Sequence, residues 1–498
     1  MRYIQEAAHA RRRHTNVTLM LGARLYSADR NRTGALHVQG ISWDRWAWAR
    51  GKIPMIETQP AADADPTSAP PQHARRRAGR KRSGWRRLGA MSAIIFALLV
   101  ITLVVSIFAP VTPAPTNFFV TAAPQPLAQE RAADAHATTL AMTLRQQAEV
   151  HYVNTMIAHM SLDDEIGQMI MIGFSETQMD DALAYQIQQL HVGSAIIYAF
   201  NIQSGPQVKQ LISGMQADTS VPLLIATDQE GGAVNRLQTV IGLTPSASMV
   251  GASNNPALAK QRGEQDAQAL AQLGINLNLA PVVDVLQTSG GDIQSRAFGS
   301  SPALVTSMAG AYLTGLQQSG QVVGTLKHFP GLGDVPADPH ETLYTLNRSK
   351  ADLERIDWAP YRALLATGQV HAIMSTHVIL SAIDPTRPAS LSKPVLTGIL
   401  RDELGFNGVI ITDGIYMHSL QNYSLDQIAL YAVEAGNDII CSTYSIQSSQ
   451  EVIATLKNAV ASGEMPKSRI DDSVRRILLL KLQLGLLPAP KFGATGGN

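Results

Sequence analysis

The chain has 498 residues, 45% of them hydrophobic, which is enough apolar material for a large globular core and room for more than one domain. Its formal charge of +1 conceals an uneven distribution. Arg75, Arg76, Arg77, Arg80, Lys81, Arg82, Arg86 and Arg87 form a basic cluster, and no charged residue follows until Glu130. The lone cysteine, Cys441, excludes an intramolecular disulfide and a cysteine-built zinc site.

Residues 1–87 mix arginine runs, tryptophans and a Pro/Ala/Asp stretch without sustained periodicity and read as a basic, mostly disordered tail. LGAMSAIIFALLVITLVVSIFA, residues 88–109, is long enough at ~1.5 Å per residue to cross a ~30 Å hydrocarbon layer. It exceeds the ~7–15 apolar residues of a signal peptide, so a retained transmembrane helix is expected. The arginine-rich flank then stays in the cytoplasm, and everything after Pro110 stands outside a cell membrane crossed once. Set against an apolar span, the basic run reads as a topology signal and a contact for anionic lipid, not as a nucleic-acid site. Residues 110–132 read as a Pro/Ala-rich linker, 133–488 as the globular domain and 489–498 as a short tail.

Ser161-Leu162-Asp163-Asp164 has the form of a capping box at a helix start. After it, apolar runs bounded by turn residues recur at 168–175, 192–200, 222–230, 275–285, 322–330, 371–380, 408–417 and 437–445, with helical patterns between them. Near-continuous apolar strands alternating with helices predict a parallel sheet covered by helices, and eight units predict an α/β fold of the (β/α)8 TIM-barrel type. Polarity enters each run late. Asp228-Gln229-Glu230, Asp284, Lys327-His328, Thr376-His377 and Asp413 all fall at or just past the C-terminal end of a predicted strand, the end that carries the active site in such barrels.

No G-x-S-x-G elbow, phosphate loop or H-E-x-x-H helix occurs. His328, His340 and His377 with nearby aspartates fit either a metal or direct contact with a substrate. The acids, imidazoles and cations suit a polyhydroxylated substrate, and one carboxylate with one acid/base group suffices to break an acetal by double displacement. Asp413, closing a buried strand and followed by Gly414, is the best-placed nucleophile. For the proton donor, Asp338-Pro339-His340 stands out: proline restricts Asp338 to extended dihedrals, so the carboxylate can approach and orient the imidazole.

These residues carry a resemblance. MSLDDEIGQM (160–169), DQEGGAVNRL (228–237), NLAPVVDV (278–285), SRAFGSSP (295–302), KHFPGLGD with DPH (327–340), STHV (375–378), IITDGIYM (410–417) and RIDDSVRRILLLKLQLGL (469–486) resemble, in order, glycoside hydrolase family 3, in its branch of single-domain β-N-acetylhexosaminidases. The resemblance implies a glycosidase with Asp413 as nucleophile and Asp338 with His340 as acid/base dyad. It further implies that Asp228, Arg236, Arg296, Lys327 and His328 hold the sugar, that no cofactor or metal is needed, and that the substrate is terminal N-acetylglucosamine, often on peptidoglycan fragments. A β-glucosidase or β-xylosidase of the same family and an inactive wall-glycan-binding domain are the alternatives. Leu332, Pro339, Ala233 and Gly414 depart from the branch's pattern without removing a residue of named role. Pro339 is expected to stiffen the loop that carries His340.

Overall fold

The structure, a computed structural model, describes residues 126–289, 291–336 and 340–490. The tail expected at 1–87, the apolar span 88–109, most of the linker and the dyad member Asp338, with Pro339, lie outside the described residues. Among the described residues no helix is long and apolar enough to cross a membrane. A helix, Pro126–His159, begins inside the stretch read as linker. Its proline stands in the first turn, where the missing N–H costs nothing, and the Ala, Leu, Gln and Glu that follow are strong helix formers. The capping box at Ser161 forms as expected: its hydroxyl accepts from the Asp164 amide while the Asp164 carboxylate accepts from the Ser161 amide.

Each of the eight apolar runs contributes one strand to the barrel: β1 (Ile170–Gly173), β2 (Ser194–Ile197), β3 (Leu224–Thr227), β4 (Leu277–Asn278), β5 (Val323–Phe329), β6 (Ala372–Ser375), β7 (Val409–Thr412) and β8 (Ile440–Thr443). Every residue in them is buried, as expected of a parallel sheet covered on both faces. The sheet runs β7-β6-β5-β4-β3-β2-β1-β8, all pairs parallel. At the remaining seam a single bridge, Ile411 with Ile439, joins β7 to the approach of β8. The Thr412 hydroxyl, accepting from the Cys441 amide at 2.9 Å, adds a side-chain tie there. The barrel expected from the sequence is the barrel observed.

At the N-terminal end of the barrel, Asp438 is buried without solvent contact and gathers cations. Arg401 lies 2.6 Å from it, Arg476 3.0 Å and Arg469 3.8 Å. Ser473 and the Ile410 amide also donate to the same carboxylate. Burial would push its pKa up, but the three guanidinium groups hold it below the usual range. Since Ile410 belongs to β7 while Arg469, Ser473 and Arg476 belong to the last helix, Lys467–Gln483, one carboxylate fastens that helix to the strand leading to Asp413.

Lys481 on the same helix is buried, with Gln168 Oε1 as its acceptor at 2.7 Å. Burial pushes its ammonium from the ordinary 10.5 down to about 7. The unfolded chain therefore holds a proton that the folded chain releases between about pH 7 and 10.5. The group costs stability in full below the folded pKa, and that cost fades as pH rises through the window. Thermal melts of Lys481→Met from pH 7 to 10 are expected to show a flatter dependence of melting temperature on pH than the parent protein, with the gain from substitution largest at pH 7.

Candidate active site

Asp413 follows β7 directly. Its amide donates to the Ser375 carbonyl at 2.7 Å, tying it to the end of β6. Its carboxylate accepts from the Gly414 amide at 2.8 Å and faces the Thr376 hydroxyl at 3.4 Å. His377 is buried beneath: Nε2 donates to the Gly414 carbonyl at 3.1 Å and Nδ1 meets the Ser390 hydroxyl at 2.7 Å. Burial pushes the His377 imidazole down, toward the neutral form. His377 thus holds the peptide after Asp413 and has no part in binding a metal with His328. For Asp413 itself, burial pushes the carboxyl up, yet the positive edges of His328, His377 and His340 with the Gly414 amide bring it down to about 2.

Across the rim, β3, β4 and β5 deliver a charged network. Lys327 Nζ is buried between Asp228 Oδ1 at 2.6 Å and Glu230 Oε1 at 2.7 Å. Arg296 grips Glu230 with both arms of its guanidinium, Nε and Nη2 each donating at 2.8 Å, and also pairs with Asp292. Its Nη2 meets His328 Nε2 at 3.1 Å, while His328 Nδ1 lies 2.7 Å from Asp284 Oδ2. Asp284 Oδ1 accepts in addition from the amides of His328 and Leu332. Burial raises and the two cations lower the Glu230 carboxyl; the cations win and it stays well below the usual range. Lys327 is raised, since burial, which lowers it, is outweighed by Asp228 and Glu230. Arg236 approaches Asp228 only to 3.9 Å and keeps a buried Nε without a hydrogen-bond partner.

After β5 the chain turns at Gly331, which has φ +135°, a conformation that glycine adopts and other residues resist. At Gly333 a Cβ would sit 2.0 Å from the Val285 carbonyl oxygen, so only glycine allows this close approach. Asp334 is then clamped from two sides, accepting from the Thr288 hydroxyl at 2.5 Å and from Arg348 at 3.0 Å. Arg348 reaches on to Asp357 at 2.7 Å; burial, only partly offset by this guanidinium, pushes the Asp357 carboxyl up to about 7. The base of the loop that leads to His340 is therefore fixed. Beyond its tip, His340 is exposed and its carbonyl accepts from the His418 amide at 3.1 Å. Its imidazole is close enough to Asp413 to act on that carboxyl.

Of the sugar-holding residues expected from the sequence, Asp228, Lys327, Arg296 and His328 stand in one connected network, with Arg236 at its edge. Glu230 and Asp284 were legible only as polar groups at strand ends, yet they are the buried carboxylates that organise the network. Their position just past β3 and β4 was the available signal. Asp334, readable as a loop charge, is the anchor of the loop. Among the described residues no group of three or more His, Cys, Asp or Glu is arranged to hold a metal ion.

A parallel barrel with an ionised carboxylate, a nearby imidazole and a charged network at its C-terminal rim has the layout of a glycoside-hydrolase catalytic domain. Residues 161–480 match the model described as "Glycosyl hydrolase family 3 N terminal domain", and the chain belongs to that family of glycoside hydrolases. It is 36% identical over 296 residues to a β-hexosaminidase of Nitrosomonas eutropha, a match covering 58% of this chain and 84% of the relative. It is 33% identical over 340 residues to the β-hexosaminidase LpqI of Mycobacterium tuberculosis, covering 65% and 84%. Among solved structures it resembles a family 3 β-N-acetylglucosaminidase from a Paenibacillus species, with a TM-score of 0.64 and 35% identity over 68% of this chain and 65% of that one.

Glu230→Gln tests the network. It removes the charge that two buried cations share, and breaking such a pair costs about 3–5 kcal/mol. The expected outcome is a large fall in melting temperature together with loss of turnover. Arg236→Ala, at the half-buried edge of the network, is expected to lower the melting temperature far less than Glu230→Gln, with its effect on turnover confined to KM.

Proposed function

We propose that the protein is a retaining, exo-acting β-N-acetylhexosaminidase that removes terminal β-linked N-acetylglucosamine from the non-reducing end of glycans, peptidoglycan fragments among them. The carrying observation is Asp413: a carboxylate held ionised at the barrel rim, gripped by backbone on its own side and within electrostatic reach of the His340 imidazole from a separate loop. The names of the relatives support the sugar; the geometry supports double displacement.

In the first step an Asp413 oxygen attacks the anomeric carbon while the protonated His340 imidazole gives its proton to the departing glycosidic oxygen, leaving a glycosyl ester. Asp338 orients and favours the protonated ring. In the second step the neutral imidazole takes a proton from water, the water oxygen bonds to the anomeric carbon, and Asp413 is released. Asp228, Lys327, Arg296, Arg236 and His328 bind the sugar hydroxyls, the buried carboxylates fixing the direction of each donor. Burial of Glu230 and Asp284 beneath these groups preorganises the pocket before substrate arrives. We further propose that residues 88–109 anchor the enzyme in a cell membrane with its barrel on the extracytoplasmic side, a placement that gives access to wall glycans. The basic cluster followed by an uncharged apolar span supports this reading.

Asp413→Gly is expected to abolish hydrolysis of an aryl N-acetyl-β-glucosaminide; unchanged turnover would remove the mechanism. His340→Ala should retain activity on substrates with good leaving groups, which need little protonation, and azide should accelerate it by replacing the base-assisted attack of water. With its pKa at about 2, Asp413 is ionised throughout the working range, so an acid limb of kcat/KM above pH 4 should shift with His340 and Asp338 variants. A preference for aryl glucoside over N-acetylglucosaminide would overturn the sugar assignment.

A further inference from the structure

Gln229 lies between Asp228 and Glu230, the two carboxylates that pair with Lys327. It is buried and held on three sides. Its amide donates to Asn278 Oδ1 at 3.0 Å, and its carbonyl accepts from Asn278 Nδ2 at 3.0 Å. Its own Oε1 accepts from the Leu237 amide at 3.0 Å. That bond closes the short antiparallel pair Gln229–Gly231 and Val234–Asn235 and sets Arg236 beside Asp228.

A line of buried groups stands behind this grip. Asn278 Nδ2 gives its second proton to the Tyr312 hydroxyl oxygen at 3.1 Å, and that hydroxyl donates to Asp266 Oδ2 at 2.9 Å. Asp266 is without solvent contact and pairs through its other oxygen with Arg262, one turn earlier on the helix Pro256–Leu273. Tyr312 comes from a second helix, Pro302–Gln317. Arg262 and Tyr312 line one small cavity with Glu230 and Arg296, so the two charged layers are neighbours.

The Asp266 carboxylate decides the direction of every bond in the line. Burial raises it to about 6 against Arg262 and Tyr312, so it is ionised at neutral pH. An ionised aspartate only accepts, and the one proton of the Tyr312 hydroxyl goes to it. Burial and the same carboxylate push the phenol well above its ordinary range, so Tyr312 keeps the proton it donates. Its oxygen is left as an acceptor, which calls for the amide nitrogen of Asn278 and turns Asn278 Oδ1 toward the Gln229 amide. A reversed Asn278 would set carbonyl against carbonyl and amide against amide at Gln229. Packed apolar residues would avoid the cost of burying this charge, yet the line that it orders ends between Asp228 and Glu230.

We propose that Tyr312 and Asp266 are positioning residues: acting through Asn278 and Gln229, they set the orientation in which Asp228, Glu230 and Arg236 meet the sugar. The proposal rests on the hexosaminidase reading and assigns substrate affinity to two side chains that stand behind the rim.

The test compares Tyr312→Phe, Asp266→Asn and Tyr361→Phe with the parent in the full chain. Turnover of an aryl N-acetyl-β-glucosaminide gives KM and kcat, and calorimetry gives the Kd of N-acetylglucosamine. Tyr312→Phe removes the acceptor that orients Asn278 and keeps the ring; KM and Kd are expected to rise together by about fivefold or more, with kcat within about twofold of the parent. Asp266→Asn keeps an acceptor for Tyr312 but leaves Arg262 unpaired, so it should lower the melting temperature more than Tyr312→Phe and raise KM less. Tyr361→Phe removes a hydroxyl that is buried without a hydrogen-bond partner, and should leave KM within about twofold. Changes in KM that follow the order of the melting temperatures, equal rises in Tyr312→Phe and Tyr361→Phe, or no rise in Tyr312→Phe would overturn the positioning role while leaving the hexosaminidase reading intact. A parent that neither hydrolyses the aryl glycoside nor binds N-acetylglucosamine would bring down the hexosaminidase reading and this role with it.

Discussion

Two buried cations, Lys327 and Arg296, share the carboxylate of Glu230, and the layout of the rim follows from the need to pair them. A charge removed from water must find its counter-charge within hydrogen-bond reach. Here the partners come from different strands: Glu230 and Asp228 after β3, Arg296 after β4, Lys327 from β5. None can shift without leaving another uncompensated, so the network sets the spacing of three strand ends. Asp284 extends the constraint to His328 and to the amide of Leu332, carrying it into the start of the loop that leads to His340.

The other half of the chemistry is held by different means. Among the described residues no lysine or arginine pairs with Asp413; the Gly414 amide, the Thr376 hydroxyl and the nearby imidazoles of His328, His377 and His340 hold its carboxyl down against burial. That distinction suits the two tasks proposed for these groups. A carboxylate that is to form an ester cannot be locked in a salt bridge, since breaking the pair would add to the barrier. Groups that only orient hydroxyls gain from being locked. The loop combines both regimes, clamped at Asp334 by Arg348 and Thr288 and exposed by the time it reaches His340.

Much of this was legible in the chain. Each apolar run held one barrel strand because parallel strands buried on both faces show no alternation, and the late entry of polar residues marked the rim. The family motifs picked out Asp228, Arg296, Lys327 and His328, which the fold brings into one network. The helix that begins at Pro126 takes in the last residues of the stretch read as linker, because Leu, Gln, Glu and Ala after a first-turn proline favour a helix. Roles that depend on contacts between distant segments were not legible: that Glu230 sits under Lys327 and Arg296, that His377 faces a carbonyl, or that Asp334 is an anchor. The line from Asp266 through Tyr312 and Asn278 to Gln229 was likewise hidden, because its members come from separate helices and strand ends and no local pattern joins them.

Asp438 gives the last helix a part in placing the nucleophile's strand. The strand leading to Asp413 and the carboxylate of Asp438 precede Arg469 and Arg476, which reside on that helix. Each guanidinium that the helix supplies lowers the cost of burying that carboxylate, so the helix and the strand leading to Asp413 are settled together, on the face of the barrel away from the rim.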